Sequence, residues 1–234
     1  MAANLVLFDI DGTLLDTQDA GILAYERAGR DVHGAVFTFV DVPIHGRLDP
    51  ENYADAVARH CPGVDASAHE AAFQAAYGRE LSAIADEMGG FRPCPGVERL
   101  LERLREESSI QLGLLTGNWA ATGRLKLERA GLDPDLFGCN AFAEHGSHRD
   151  ELVPVARRHF REMHGVAPAR VVVVGDTPRD VGCAIAGDAE SLAVATGIFA
   201  VDRLAEAGAT RSVADLADTE AIVSFLVDPG AVAG

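Results

Sequence analysis

The chain has 234 residues and carries 36 Asp and Glu against 20 Lys and Arg, a formal net charge of −16, with 48% hydrophobic and 24% charged side chains. That composition suits a globular chain with one sizeable core, or a core and a small second domain, and excludes a disordered one. The acidic balance disfavours nucleic acid and anionic membranes as partners, no run of eighteen apolar residues offers a membrane span, and Met1-Ala2-Ala3-Asn4 lacks the basic-then-apolar pattern of a secretory signal, so a cytoplasmic protein is expected.

The first expected strand is Asn4 to Ile10. Its run Leu5-Val6-Leu7-Phe8 is apolar without alternation, as in a strand buried on both faces of a parallel sheet. It ends in Asp9-Ile10-Asp11-Gly12-Thr13, which is poor core material. From about Asp16 to Gly90 the pattern turns helical, through Ala20–Arg27, Glu51–Arg59 and an alanine-rich stretch from Ala68 to Met88 read as packing, with Ala35–Val40 a short ambiguous apolar run. So long a crossover within one sheet points to an inserted helical cap over residues 16–91, returning through Gly89-Gly90 and Pro93-Cys94-Pro95-Gly96. The rest, 92–234 with 1–15, alternates strand and helix. Helix Val97–Glu107 precedes strand Ile110–Leu115, and helix Trp119–Ala130 precedes a short strand near Cys139–Phe142. Then come helix Glu151–His164, strand Val171–Val174, a helix near Asp180–Ala186, strand Ser191–Ala195 and two terminal helices. The expected fold is α/β, a Rossmann-like parallel-sheet core with an inserted α-helical cap.

Three strands end alike, in an apolar run followed by small polar or acidic residues: Asp9-Ile10-Asp11-Gly12-Thr13, Thr116-Gly117-Asn118, and Gly175-Asp176-Thr177-Pro178-Arg179-Asp180. Carboxyl ends of parallel strands share one edge of the sheet, where ligands bind. Asp9, Asp11, Asp176 and Asp180 would then gather with Thr116, and four clustered carboxylates require a cation. Oxygen ligands without histidine or thiolate favour magnesium.

These segments, in this order, resemble the first, second and fourth signatures of the haloacid dehalogenase superfamily, and Pro95-Gly96-Val97 before an amphipathic helix resembles its helically capped members; the likeness covers nearly the whole chain. The resemblance implies that Asp9 is the nucleophile attacking phosphorus and Asp11 the general acid and then base. It further implies that Mg2+ is held by Asp9, the Asp11 carbonyl and Asp176 with support from Asp180, and that Thr116, Gly117 and Asn118 bind phosphate oxygens. The family's third signature, usually a lysine, has no direct counterpart. Arg149, in Ser147-His148-Arg149-Asp150, is expected to take that role and bind phosphate. Lys126, the only lysine in the sequence, competes for it, although its helix pattern suggests a solvent-facing residue. In the cap, His45-Gly46-Arg47-Leu48-Asp49-Pro50 resembles segments at the cap face of related phosphatases. Arg47 would read the substrate's distal group there, or else the segment is simply a helix-initiating turn.

His145-Gly146-Ser147-His148 lacks a third ligand at sensible spacing and reads as a polar loop, while Cys61, Cys94, Cys139 and Cys183, with no CxxC pair, read as reduced thiols. The expected activity is hydrolysis of a small phosphorylated metabolite through an aspartyl-phosphate, with phosphoglycolate-like phosphatases the best overall likeness. A sugar-phosphate mutase on the same core is the alternative. Asp11 argues against a dehalogenase, and a cap without lysine argues against a phosphonatase. Nothing supports a binding protein on a degenerate core, and the oligomeric state is not legible.

Overall fold

The computed structural model describes residues 3–228. The expectations that fall on residues 1–2 and 229–234, including the start of the chain and the end of the expected core domain, lie outside them. Five parallel strands form the main sheet: β1 (Asn4–Phe8), β4 (Ile110–Leu114), β5 (Val171–Gly175), β6 (Glu190–Val194) and β7 (Arg211–Val213), in the order β4-β1-β5-β6-β7. β1 and β5 lie inside the sheet and are buried almost throughout, which is why both are unbroken apolar runs. Helices α4 (Val97–Arg105), α5 (Ala120–Arg129), α6 (Leu152–His164), α7 (Pro178–Ala186), α8 (Val201–Glu206) and α9 (Thr219–Val227) follow the core strands. The register brings the strand ends level. Phe8 stands between Leu114 and Val174, and Val174 opposite Leu192. The residues just beyond those four therefore emerge along a single edge.

Between β1 and the rest of the core lie helices α1 (Ala20–His33), α2 (Asp49–His60) and α3 (Ala66–Met88), with no strand in that interval after Asp16. Asp65 caps α3 by accepting from Ser67 N, and Gly89 ends it in the left-handed conformation. The three helices pack on aromatic rings: Tyr25 stacks on Tyr77 at 4.2 Å and Tyr53 on Phe73 at 4.1 Å, and Phe37 and Phe39 join them. Ala35–Val40 forms no strand. Phe37 and Phe39 point into this core while Val36 and Val40 are exposed, and Gly29 has no side chain because a Cβ there would lie 1.9 Å from the Phe37 ring.

Three features were not expected. A two-residue ribbon, β2 (Leu15–Asp16) against β3 (Arg92–Pro93), ties together the two chain crossings between core and helical segment. β7 is too short and too half-buried to show in the pattern. The strand expected near Cys139–Phe142 is only a bridge, Leu115 to Ala141, because the Asn140 carboxamide takes the Leu114 N–H (2.9 Å) that a ladder would use. No helix of the described residues is long and apolar enough to cross a membrane. All four cysteines are buried and free.

Candidate active site

The edge where β1, β4 and β5 end carries the acids. Asp9 follows β1 directly; its Oδ1 accepts from Ile10 N (2.8 Å) and its Oδ2 meets Arg149 Nη2 at 2.9 Å. Asp176 follows β5 and accepts from Thr13 Oγ1 at 3.4 Å. Room for it is made by Gly12, whose φ of +71° favours glycine and whose Cβ would lie 2.5 Å from Asp176 Oδ2. Asp180 opens α7 and does what its sequence context suggests for an N-terminal acid. Its Oδ2 accepts from Thr177 N (2.9 Å) and Thr177 Oγ1 (2.7 Å) in a capping box, behind Pro178. Its Oδ1 pairs with the same Arg149 nitrogen, Nη2, that meets Asp9. Asp180 thus serves the helix and the site together.

Ligand atoms of Asp9, Asp176 and Asp180, all buried, lie within 4.8 Å of one another, close enough to hold a metal ion. One guanidinium faces these three carboxylates, so full ionisation leaves two negative charges uncompensated. The electrostatics register the surplus. Burial, then the neighbouring Asp180 and Asp9, push Asp176 up to about 8. Burial, opposed by Arg149, raises Asp9 to about 6. Burial opposes the charge on Arg149, but Asp180 and Asp9 hold its guanidinium well above its ordinary range. A cluster that resists ionisation through burial and mutual repulsion, and offers only oxygen, fits a hard divalent cation.

Asp11 points elsewhere. Its Oδ2 accepts from Lys126 Nζ (2.7 Å) and Asn118 Nδ2 (2.8 Å), and Lys126 also donates to Asn118 Oδ1 (2.6 Å). Lys126 is therefore not solvent-facing, as its helix pattern suggested. It is buried on the inner face of α5, one turn below Thr122, and burial, which alone would lower its pKa, is outweighed by Asp11 and then Tyr77 and Asp49. One aliphatic stem among the alanines and leucines of an amphipathic helix looks the same whether it snorkels outward or carries a charge to a carboxylate across the fold. Thr116 is fully buried, with Asn118 Nδ2 donating to its hydroxyl oxygen at 2.8 Å, and Gly117 and Asn118 stand in front of it on the cavity wall.

The helical segment closes the other side of a cavity of about 390 Å³, lined among others by Asp9, Asp11, Asn118, Lys126, Arg149 and Asp176 from the core and by Tyr25, Arg47, Asn52 and Tyr77 from the helices. Arg47 lies on its wall, but its Nη1 is held by Asp55 Oδ2 (2.7 Å) and Pro43 O (3.0 Å). Its backbone oxygen presses on the second motif, since a Cβ on Gly117 would lie 2.0 Å from it. Asp49, expected only as a helix-starting residue, proves to be the docking point. Its N donates to Gly117 O (2.7 Å), its Oδ2 accepts from Trp119 N (3.1 Å), and its Oδ1 accepts from the Tyr25 hydroxyl. Burial raises its pKa to about 6, against the pull of Lys126. The alanine-rich α3, expected to serve only packing, places Tyr77 on the cavity wall. No signal in the sequence marked Tyr25, Tyr77 or Asn52 for the site. His145 is used locally, accepting from Phe142 N (3.1 Å), and His148 is exposed near Glu51.

A family model described as haloacid dehalogenase-like hydrolase matches residues 3–188. Among solved structures, a hydrolase from Pseudomonas syringae matches 97% of this chain and 100% of its own at 18% identity, with a TM-score of 0.71. CbbY from Rhodobacter sphaeroides, solved with phosphate, matches over 93% and 96% at 19% identity and a TM-score of 0.71, and a variant of it has been solved with xylulose-(1,5)bisphosphate. A Thermotoga maritima protein provisionally described as a β-phosphoglucomutase matches over 94% and 98% at 22% identity and a TM-score of 0.61. At these identities the likeness is one of fold. No match was found among curated proteins.

Proposed function

The chain belongs to the haloacid dehalogenase-like hydrolase family, and from that premise we propose that it is a magnesium-dependent phosphatase acting on a small phosphorylated metabolite through a phosphoryl group carried on Asp9. The observation that carries the reading is the cluster at the strand edge: three buried carboxylates within 4.8 Å of one another, with Arg149 2.9 Å from the one that follows β1. In this reading residues 16–91 form a cap domain over a core of residues 1–15 and 92–234.

A carboxylate oxygen of Asp9 attacks phosphorus, the ester P–O bond breaks, and Asp11 gives its proton to the departing alkoxide oxygen. Water then attacks the same phosphorus. Asp11, now a carboxylate, takes the water proton, and the P–O bond to Asp9 breaks to release phosphate. Lys126 and Asn118 hold Asp11 Oδ2, which leaves Oδ1 for this proton traffic. Arg149 orients Asp9 and offers its guanidinium to the phosphoryl oxygens, aided by Thr116 and the N–H groups of Gly117 and Asn118. Asp9, Asp176 and the Asp11 carbonyl would hold the Mg2+, supported by Asp180. Such an ion supplies charge stabilisation for the phosphoryl group and lets the carboxylates ionise together.

The test is phosphate release from p-nitrophenyl phosphate and a panel of sugar, polyol and acid phosphates with magnesium, alongside Asp9→Asn. The variant is expected to lose on the order of 10⁴ or more in turnover. Quenched wild-type enzyme should carry phosphate on Asp9 by mass spectrometry. Label on another side chain, or a fully active Asp9→Asn, would end the reading, and isomerisation of a sugar phosphate without net phosphate release would replace it with a mutase.

A further inference from the structure

One residue of the helical segment brackets Asn118. Asp49 N donates to Gly117 O (2.7 Å) and Asp49 Oδ2 accepts from Trp119 N (3.1 Å), so the first residue of α2 holds the peptide groups on both sides of Asn118. A trans peptide points its C=O and its N–H in opposite directions. Gly117 O, fixed toward α2, turns the Asn118 N–H away from it, where it meets Thr116 Oγ1 at 3.3 Å. The Trp119 N–H, fixed toward α2, turns Asn118 O inward to accept from Ala143 N (2.9 Å). The backbone of Asn118 is thus clamped between α2 and the core, and every polar atom of its carboxamide is engaged. Nδ2 donates to Asp11 Oδ2 (2.8 Å) and Thr116 Oγ1 (2.8 Å), and Oδ1 accepts from Lys126 Nζ (2.6 Å). The clamp has little slack. Asp49 is buried and the Tyr25 hydroxyl of α1 donates to its Oδ1. A Cβ on Gly117 would lie 2.0 Å from Arg47 O, and a Cβ on Gly46 2.6 Å from Thr177 Oγ1.

Resting on the phosphatase reading, we propose that Asp49 is a positioning residue: by seating α2 on the chain between β4 and α5 it holds Asn118, and through Asn118 it aims the Asp11 carboxyl group at the leaving oxygen. Asp11 needs such support because it is only half-buried and its Oδ2 is held by two groups, Lys126 and Asn118. Lys126 reaches it on a flexible four-carbon stem, whereas the planar carboxamide of Asn118 supplies a second, rigid point of attachment. An acid free to turn about its side-chain bonds spends only part of its time in line with the oxygen it must protonate. Seating of the helical segment and readiness of the acid are then one event, since a segment lifted from Gly117 and Trp119 leaves Asn118 free to turn away. The consequence is selective. An alkyl phosphate expels an alkoxide that must take the Asp11 proton as the P–O bond breaks, while p-nitrophenyl phosphate expels a stabilised phenolate that leaves without it.

The experiment compares kcat/KM, which reports the steps up to phosphoryl transfer to Asp9, for p-nitrophenyl phosphate, phenyl phosphate and glycerol 3-phosphate with magnesium. In Asp49→Ala the loss on glycerol 3-phosphate is expected to exceed the loss on p-nitrophenyl phosphate by about tenfold, with phenyl phosphate between them. Asp49→Asn keeps an acceptor for Trp119 N and a donor for the Tyr25 oxygen, and should stay within about threefold of wild type on all three. If Asp49 acts through Asn118, then in an Asn118→Ala background the same Asp49→Ala change should widen the difference between substrates by less than about twofold. Should Asp49→Ala not fold, Asp49→Glu, which keeps the charge and moves the carboxylate by one methylene, carries the same comparison. An equal loss on all three substrates, as from a residue that only holds the fold together, overturns the assignment, and so does a difference that persists in full without Asn118. A wild type that hydrolyses p-nitrophenyl phosphate alone has no working acid to position, which overturns the assignment and leaves the phosphatase reading standing. Absence of phosphate release from every substrate overturns both.

Discussion

The two ends of the cavity solve opposite electrostatic problems. At the strand edge, Asp9, Asp176 and Asp180 outnumber Arg149, and burial pushes Asp9 and Asp176 up to about 6 and about 8. That end could hold a metal ion. At the helical end, charges are matched inside the protein: Lys126 with Asp11, Arg47 with Asp55, and Asp49 with the Tyr25 hydroxyl and Trp119 N. The contrast separates two jobs that a phosphatase must keep apart. One end gathers acids close enough to hold a metal ion, and the other holds the helical segment against the core with its cations already paired.

Removing one cation from each end breaks the comparison most directly. Arg149→Ala strands two buried carboxylates and should lower the stability of the metal-free protein by about 3–5 kcal/mol and kcat by on the order of 10²–10³, read by denaturant melts and steady-state kinetics. Lys126→Ala frees only half-buried Asp11 and should cost less stability, while reducing kcat through loss of a positioned acid by on the order of 10². Wild-type turnover in Arg149→Ala together with abolition in Lys126→Ala would exchange their roles. A magnesium titration sharpens the contrast. In the metal-free protein the raised carboxyl groups hold protons that the unfolded chain has lost. Their stabilisation is full below about pH 4 and is lost as pH rises through about 6 for Asp9 and about 8 for Asp176. An ion must displace those protons, so the gain in Tm on adding magnesium should grow from pH 5.5 to pH 8.5. A gain independent of pH would place the ion elsewhere. Tyr25→Phe should cost roughly 1–3 kcal/mol, because Asp49 Oδ1 loses its donor in a buried setting; a thermal melt at neutral pH measures it. Arg47→Ala should do least. It breaks a pair with the half-exposed Asp55 and should stay within about 1 kcal/mol in stability and in substrate binding. A much larger rise in KM would give Arg47 the distal-reading role.

The strand edge was legible because each of its residues breaks a local rule. Asp9 and Asp176 end runs too apolar for anything but a buried strand, and parallel strands of similar length must deliver their last residues to the same edge. The alternation of elements likewise marked the α/β class, and Arg149, in the short 3-10 turn ahead of α6, stands 2.9 Å from Asp9. What tertiary structure alone decided is how side chains from separate helices meet. Lys126 faces the half-buried Asp11 carboxylate instead of water, Asp49 reaches across from α2 to the chain beyond β4, and Tyr77 of α3 stacks on Tyr25 of α1. Periodicity reports which face of a helix is buried. It carries no record of what lies opposite, and the helical end of this cavity is made entirely of such encounters, whereas the phosphate end is made of strand termini whose neighbours the sheet itself dictates.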